Sequence, residues 1–155
     1  RSSDMIGHLA GIARHDRPHG EIETVDAVSV SREGGVAGDH RGALKPGQNR
    51  RQISLIEAES WQAATAGLGA DIEWWHRRAN LLVSGLRLPR REGAKIRIGE
   101  TLLIAVTMEC DPCSRMEDVH PGLKAALAPD WRGGILGQVL EGGDIAIGDE
   151  VRIEE

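Results

Sequence analysis

Two cysteines, Cys110 and Cys113, form a C-x-x-C motif in the segment MECDPCSRMED, and Pro112 directly precedes the second of them. Such a pair can exchange thiols and disulfides, supply half of a metal site, or contain one working thiol. A thioredoxin-type pair lies within a βαβ unit, whereas the segments around this motif have the pattern of β-hairpins. A structural zinc site needs about four ligands, and only His120 is close by in the sequence. A single working thiol, Cys113, is one interpretation, and two inert buried cysteines are the other.

Arginine side chains near this motif and elsewhere predict a small anionic ligand. Arg115 follows Cys113 by two residues, and basic pairs occur at Arg50-Arg51, Arg77-Arg78 and Arg90-Arg91. Positive charge near a thiol favours the reactive thiolate, and the guanidinium fork matches the geometry of phosphate. The net charge of −5 argues against a nucleic-acid polymer as partner, because such binding requires a broadly basic face.

The 155 residues predict one domain, residues 1–155, because this length supplies a single hydrophobic core. A composition of 40% hydrophobic and 28% charged residues is typical of a soluble globular protein. No apolar run approaches the length of a membrane span, and the first 20 residues lack the apolar stretch of a signal peptide. Two cysteines do not make a disulfide framework, so we expect a cytoplasmic protein without membrane contact.

Short apolar stretches between glycine-rich turns predict a mostly β fold, a β-barrel with a few short helices. We expect strands over residues 5–13, 23–31, 50–56 and 79–85, two strands about residues 99–100, and two about residues 142–144. Helical spacing of apolar residues predicts a helix over 57–67, and a proline start predicts another over 121–127. Residues 34–42 are expected to form a glycine-rich loop.

The motifs of the chain, taken in order, resemble those of the MOSC (molybdenum cofactor sulfurase C-terminal) domain. The resemblance covers almost the whole chain. It rests on GVAGDHRG, RQISLIEAESW, RRANLLVSGLRL, KIRIGETLLIAVT, the Pro112-Cys113 pair, Arg132-Gly133-Gly134 and GGDIAIGDEV. No single piece is specific to the family, but the ordered set is.

This resemblance implies a MOSC-type barrel and a role in handling molybdenum cofactor (molybdopterin). In such proteins the cysteine that corresponds to Cys113 either carries sulfur to the cofactor as a persulfide or ligates molybdenum during reduction of N-hydroxylated compounds. A cysteine desulfurase or an electron-transfer protein is the partner that these activities imply. The family is also associated with pyridoxal phosphate binding. Cys110 has no general counterpart in the family, so we interpret it as incidental.

Thiolate sulfur is a good ligand for molybdenum, and arginine can bind the pterin phosphate through two parallel hydrogen bonds. An amide side chain can both donate to and accept from a pterin edge. The backbone amides of a glycine-rich loop can bind an anion. Cys113 is therefore the expected catalytic residue and metal ligand. The expected cofactor-binding residues are Gly38, Asp39, His40, Arg51, Arg78, Asn80, Arg115, Arg132, Gly133 and Gly134.

Five of these residues have a structural alternative. Asp39 and His40 could close a turn, Asn80 could bond to local backbone, and the arginines Arg51 and Arg78 could be solvated surface charges. Two alternatives also stand for the whole protein: a molybdopterin-binding module that performs no chemistry, and a C-x-x-C thiol redox protein.

Overall fold

The computed structural model describes residues 6–42 and 49–154, which are organised around a closed β-barrel. Within these residues the strands are β1 (Ile6–Arg14), β2 (Glu23–Val25), β3 (Ala27–Ser31), β4 (Gly35–Val36), β5 (Ile53–Glu57), β6 (Leu81–Ser84), β7 (Lys95–Ile98), β8 (Leu102–Glu109), β9 (Ile135–Glu141), β10 (Gly143–Ala146) and β11 (Glu150–Glu154). Residues 5 and 155, at the ends of two predicted strands, lie outside the described residues.

Seven of these strands form the barrel in the order β11-β7-β8-β9-β5-β6-β1, and pairing of β1 with β11 closes the ring. Neighbouring strands are antiparallel except for β5 and β6, which run parallel with Leu55 opposite Leu81. Strand β2 pairs with the end of β1. Closure satisfies the backbone groups that a free sheet edge would leave unpaired. The mostly β fold with a barrel, predicted from the sequence, is confirmed.

The barrel interior is filled by branched aliphatic side chains that alternate with outward-facing residues along each strand. The most completely buried of them include Leu9, Ile12, Ile53, Leu55, Leu81, Ile96, Ile98, Leu102 and Ile104. Such residues favour strands because their stiff side chains pack well on a pleated surface. The interior is therefore a packed core, and any site for a ligand must lie at its rim.

A second, smaller sheet has the strand order β10-β3-β4. Val28 and Val30 on β3 turn inward and join the barrel core. The single strand predicted over 23–31 is wrong, because the chain bends at Asp26 and its halves β2 and β3 join different sheets. Strands β10 and β11 likewise separate between the two sheets, so the last 20 or so residues form three strands where we predicted two.

Within the described residues, three helices cover the outside of the barrel: α1 (Ala58–Gly67), α2 (Ser114–Val119) and α3 (Leu123–Leu127). Their apolar faces share a second core with outward-facing residues of β5 and β6. This core contains Ile56, Trp61, Ala64, Ala79, Leu82, Met116, Leu123 and Leu127. Helices α1 and α3 match two predictions, whereas α2 was not predicted. In the parts of the chain that the structure describes, no helix has the length and apolar character to cross a membrane.

The parallel pair β5 and β6 determines what lies at one end of the barrel. Parallel neighbours need a crossover connection, and here it contains α1 and a 3-10 turn, Trp74–Arg77. The crossover ends just before β6, where the chain delivers Arg77 and Arg78. Strand β8 ends close by, since Glu109 lies opposite Ile135 at the start of β9. The C-x-x-C segment therefore follows β8 at the same end of the barrel.

Candidate functional site

A cleft of about 370 Å³ lies at this end of the barrel, where β1 and β8 end and β6 begins. A volume of this size suits a small molecule. Its lining residues come from five separate segments of the chain. They are His15, Pro18, His19, His40, Arg41, Arg51, Ser54, Arg77, Arg78, Ala79, Cys110, Asp111, Cys113, Arg115 and Met116.

The cleft is strongly basic although the protein as a whole is acidic. Five of the described lining residues are arginines, and Asp111 is the one carboxylate among them. Both cysteines also line the cleft as free thiols; Cys113 is exposed and Cys110 is half-buried. Concentrated positive charge in a concave surface attracts anions, and thiol sulfur is a ligand for soft metals and a nucleophile.

Arg78 has a buried donor with no partner among the described residues. The residue ends the Trp74–Arg77 turn with a left-handed backbone, φ 64°. Its Nη2 donates to the Gly20 carbonyl oxygen at 2.7 Å, whereas its buried Nε has no partner among the described residues. Burial and then the nearby positive charges of Arg115 and Arg41 lower the pKa of the Arg78 guanidinium. An anion bound in the cleft would relieve all three unfavourable effects.

Arg77 makes different contacts from its neighbour. Only 7% of this residue is exposed. Its Nε donates to the Gly133 carbonyl oxygen at 3.0 Å, and its Nη2 lies 2.8 Å from the Cys110 carbonyl oxygen and 3.1 Å from the Cys110 Sγ. Among the described residues no carboxylate pairs with it. Arg77 therefore connects the crossover, the cysteine segment and the loop before β9.

The Arg132-Gly133-Gly134 motif, in the loop before β9, packs against the backbone of the cysteine segment. The Cys110 amide donates to the Gly134 carbonyl oxygen at 2.9 Å. A Cβ on Gly133 would lie 2.6 Å from the Cys110 carbonyl oxygen, and a Cβ on Gly134 would collide with the Leu55 carbonyl oxygen. Both glycines are thus needed for close backbone approach. The Arg132 side chain donates to the Ala126 carbonyl oxygen.

Cys113 lies at the N-terminal boundary of α2. Its backbone is extended, and its carbonyl oxygen accepts a hydrogen bond from the Met116 amide. Met116 is buried in the helical core and fixes the helix against the barrel. Arg115, two residues further along the chain on α2, contacts the His19 ring at 3.3 Å. The exposed Cys113 thiol therefore lies at the start of a short helix, α2, whose opposite side is fixed to the barrel by Met116.

The buried His15 forms part of the wall of the cleft. The His15 amide donates to the Asp39 carboxylate at 3.1 Å, and the His15 ring lies 4.7 Å from the His40 ring, centroid to centroid. Burial lowers the pKa of His15 to about 4, against the raising effect of Asp39. His15 is therefore neutral at physiological pH, and the partly buried His40 ring lies beside it at the cleft.

Five of the predicted site residues line the cleft: His40, Arg51, Arg78, Cys113 and Arg115. The other six do not line it. Gly38 packs against the Arg14 side chain, and Asp39 lies behind His15. Asn80 is buried: its Oδ1 accepts from the Ser54 amide at 3.0 Å, and its Nδ2 donates to the Ala13 carbonyl oxygen. Arg132, Gly133 and Gly134 have the supporting contacts described above.

Ten lining residues were not among the predicted site residues, and five of these have basic or thiol side chains: His15, His19, Arg41, Arg77 and Cys110. Arg77 and Cys110 carried a signal, since one belongs to a basic pair and the other to the C-x-x-C motif. Sequence gives no means to tell which member of such a pair faces a ligand. The histidines and Arg41 carried none, because their place in the cleft depends on how β1 and the glycine-rich loop meet.

Comparison with known proteins identifies the fold. The model of the MOSC domain family matches residues 40–152. The chain belongs to the MOSC domain family. The YuaD protein of Bacillus subtilis is similar in structure, with a TM-score of 0.76 and 23% identity over 96% of each chain. The YiiM proteins of Geobacillus stearothermophilus and Escherichia coli have a TM-score of 0.65 and identities of 19% and 16%.

The two YiiM proteins are longer than this MOSC domain. The similarity covers 97% and 96% of this chain but 74% and 70% of theirs. No curated protein sequence matches the chain significantly. At these identities the similar structures support the fold alone, and the chemistry must be argued from the cleft of this MOSC domain.

MOSC domains are associated in general with molybdenum cofactor, a pterin that carries a phosphate, and the cleft fits such a group. The unpartnered Arg78 Nε and the surrounding guanidiniums suit the phosphate, and the thiols suit molybdenum. Among the described residues no three His, Cys, Asp or Glu side chains could together hold a bare metal ion.

Pyridoxal phosphate makes a different demand on the protein. It is usually held as a Schiff base with a lysine. Neither of the lysines in the described residues, Lys95 and Lys124, lines the cleft. The basic lining would accept the phosphate of that cofactor, but its aldehyde has no amine partner among the described lining residues.

Proposed function

We propose that this MOSC domain binds molybdenum cofactor in the basic cleft and that Cys113 is the sulfur that works on it. The observation that carries the proposal is the convergence of five arginines and an exposed thiol in one small cleft. An acidic protein with a net charge of −5 has no general reason to gather guanidiniums around a cysteine. A ligand with both an anionic group and a thiophilic atom accounts for the two together.

Each group has a defined task in this proposal. Arg78, Arg51 and Arg115 bind the phosphate, and Arg78 does so with the Nε that has no partner among the described residues. Cys113 presents its sulfur from the start of α2. The bound cofactor supplies two-electron redox chemistry at molybdenum. His40, beside the neutral His15, is positioned to hold or donate a proton at the cleft.

Two activities fit this arrangement. In the first, Cys113 ligates molybdenum and the protein reduces N-hydroxylated compounds with electrons from a transfer partner. In the second, the Cys113 thiolate attacks the outer sulfur of a persulfide on a cysteine desulfurase. The partner leaves as a thiolate, and Cys113 holds the outer sulfur as a persulfide that a bound cofactor would accept. A molybdopterin-binding module without catalysis and a thiol redox protein remain the alternatives.

The decisive experiment is analysis of bound molybdenum and pterin fluorescence in protein produced in a host that supplies the cofactor. Cys113→Ser is compared with Ser114→Ala, a neighbouring exposed position outside the cleft lining. We expect near-stoichiometric molybdenum in the wild type and in Ser114→Ala, and its loss in Cys113→Ser. Turnover of a hydroxylaminopurine or an amidoxime by the loaded wild type would select the reductase.

Other outcomes select or reject the remaining functions. A labile sulfur on Cys113 without molybdenum would select the sulfur carrier, and bound cofactor without turnover would select the binding module. Molybdenum that is unchanged in Cys113→Ser would remove Cys113 from the site. A reversible disulfide as the sole activity, with neither cofactor nor persulfide, would leave the thiol redox protein.

A further inference from the structure

Cys110 is not placed as an incidental cysteine would be. Its sulfur lies 3.1 Å from the Arg77 Nη2, within hydrogen-bond distance, and its carbonyl oxygen accepts from the same nitrogen at 2.8 Å. Its amide donates to the Gly134 carbonyl oxygen. An inert buried cysteine typically packs among apolar side chains, whereas this half-buried thiol faces a guanidinium and lines the cleft.

Arg77 in turn has no carboxylate partner among the described residues. It is buried, and its other contact is the Gly133 carbonyl oxygen. A buried cation is costly unless a negative group or a full set of acceptors compensates it. Here the acceptors of Arg77 are two carbonyl oxygens and the Cys110 sulfur. These bonds, together with that of the Cys110 amide, fix the sulfur's place beside the cleft.

We propose that Cys110 is the resolving thiol of Cys113: when Cys113 carries a sulfur leaving group, Cys110 attacks Cys113 and displaces it as the intramolecular disulfide forms. Both thiols line one cleft and are separated by two residues. Asp111 and Pro112 shape the connection, and proline limits the conformations that it can adopt. Arg77 is the positioning residue of this step.

For a persulfide on Cys113 the step balances without an external oxidant. A bond forms between the Cys110 and Cys113 sulfurs, and the bond from Cys113 to its outer sulfur breaks. The outer sulfur takes the bonding electron pair and leaves as sulfide with the proton of Cys110. The two cysteine sulfurs are oxidised to the disulfide, and the sulfane sulfur is reduced to sulfide. This application of the proposal rests on the sulfur-carrier form of the proposed function, but the resolving role of Cys110 does not.

The first test uses dithiobis(nitrobenzoate), an aromatic disulfide, at one equivalent per reduced protein chain. Attack by Cys113 releases one thionitrobenzoate, and attack by Cys110 on the resulting mixed disulfide releases a second. We expect two equivalents released and no retained adduct in the wild type, but one equivalent and a stable Cys113 adduct by mass spectrometry in Cys110→Ser. The second release should not depend on protein concentration, because it is intramolecular.

A wild-type protein that keeps a stable adduct and releases one equivalent would overturn the proposal, as would disulfides that form only between chains. The outcome does not depend on any cofactor or on sulfur transfer. Cys110→Ser replaces one atom of a half-buried side chain and leaves an acceptor for Arg77, so the variant tests chemistry rather than folding. Far-UV circular dichroism checks that the variant is folded.

The second test uses inorganic polysulfide and reads the mass of one added sulfur atom and the release of sulfide. Cys110→Ser should retain the added sulfur on Cys113, whereas the wild type should release sulfide and end as the disulfide. If Cys113 gains no sulfur in Cys110→Ser while the first test succeeds, the sulfur-carrier form of the proposed function fails and the resolving role stands.

Arg77 is tested by Arg77→Lys, which keeps the charge but not the fork that joins Cys110 and Gly133. We expect the first thionitrobenzoate release to be nearly unchanged and the second to slow about tenfold. Arg50→Lys is the matched control, because Arg50 contacts Glu92 and the Thr107 carbonyl oxygen outside the cleft lining. Equal second-release rates in Arg77→Lys and the wild type would remove Arg77 from the step.

Discussion

Arg77 and Arg78 are neighbours in the sequence, but their guanidinium groups serve different neighbours. The left-handed backbone of Arg78 turns the chain after the 3-10 turn, and the two side chains separate there. Arg77 bonds to the protein's own carbonyl oxygens and to a sulfur. Arg78 leaves a buried donor unused. At the residue scale one arginine positions a thiol and the other is available to a ligand.

Arg78→Lys should weaken binding of a phosphate-type anion while the fold is retained. Lysine keeps the positive charge but cannot make a forked pair of hydrogen bonds, and a charged hydrogen bond contributes about 1.5–3 kcal/mol, or roughly 10- to 100-fold in affinity. Isothermal titration calorimetry with inorganic pyrophosphate measures the change. Arg50→Lys, outside the cleft lining, should bind as the wild type does, and equal affinities in all three proteins would contradict the assignment of Arg78.

At the element scale, the loop before β9 is the support on which the cysteine segment rests. Gly133 has no side chain to prevent the close approach of the Cys110 carbonyl. Gly134 lies against the Leu55 carbonyl oxygen and has a left-handed backbone, φ +99°. The Arg-Gly-Gly motif therefore acts through packing of backbone on backbone. Its contribution to the cleft is indirect, because it decides where the chain after β8 runs.

Gly134→Ala should lower the free energy of unfolding by at least about 3 kcal/mol, because it adds a steric clash to an unfavourable backbone conformation. Gly148→Ala is the matched control: its φ of +100° is nearly the same, but a Cβ there meets nothing within 4 Å. It should cost only about 1–2 kcal/mol of backbone strain. Urea unfolding of both variants measures the difference, and equal losses would show that the Leu55 contact is unimportant.

The strands could be predicted from the sequence because apolar residues and glycine turns mark them locally. The turn at residues 99–100 has a strand on each side, as predicted, and the predicted helix over 57–67 is present as α1. The bend at Asp26 could not be predicted, because the exchange of β2 and β3 between sheets depends on distant partners, β1 and β10. Helix α2 has six residues, too few for a periodic pattern to stand out.

The candidate site was predictable only in part for the same reason. The sequence indicates cysteine and arginine chemistry, and five predicted residues do meet in one cleft. Packing decides which polar side chains form hydrogen bonds inside the protein and are therefore not available to a ligand. The Asn80 side-chain amide, for example, forms hydrogen bonds with the Ser54 amide and the Ala13 carbonyl oxygen, which belong to two different strands. Hydrogen-bond partners that are distant in the sequence cannot be predicted from the local pattern of residues.

At the scale of the whole molecule, a surplus of acidic residues coexists with a basic cleft built around a neutral histidine. His15 is 4% exposed, and a proton on its ring would add charge beside Arg78 and Arg41. The folded protein therefore binds this proton much more weakly than the unfolded chain does. Acid should oppose folding through His15 before it protonates most of the carboxylates.

The free energy of unfolding should fall as the pH is lowered from 6.5 to about 4, because the unfolded chain then binds a proton at His15 that the folded state does not. The stabilisation is complete above pH 6.5, and its loss amounts to at most about 3 kcal/mol. Urea unfolding across this range, in a buffer without phosphate, should give a flatter curve for His15→Gln than for the wild type. His8→Gln, exposed on β1, should keep the wild-type slope.

The cleft's dependence on the loop before β9 has a consequence for biosynthesis. Residues 133–134, which hold the cysteine segment, leave the ribosome after every residue that lines the cleft. Strand β11, which closes the ring against β1, follows later still. A nascent chain therefore cannot capture its ligand as the lining residues emerge. We therefore expect loading to act on the folded protein, once the loop before β9 and the closure of the ring are in place.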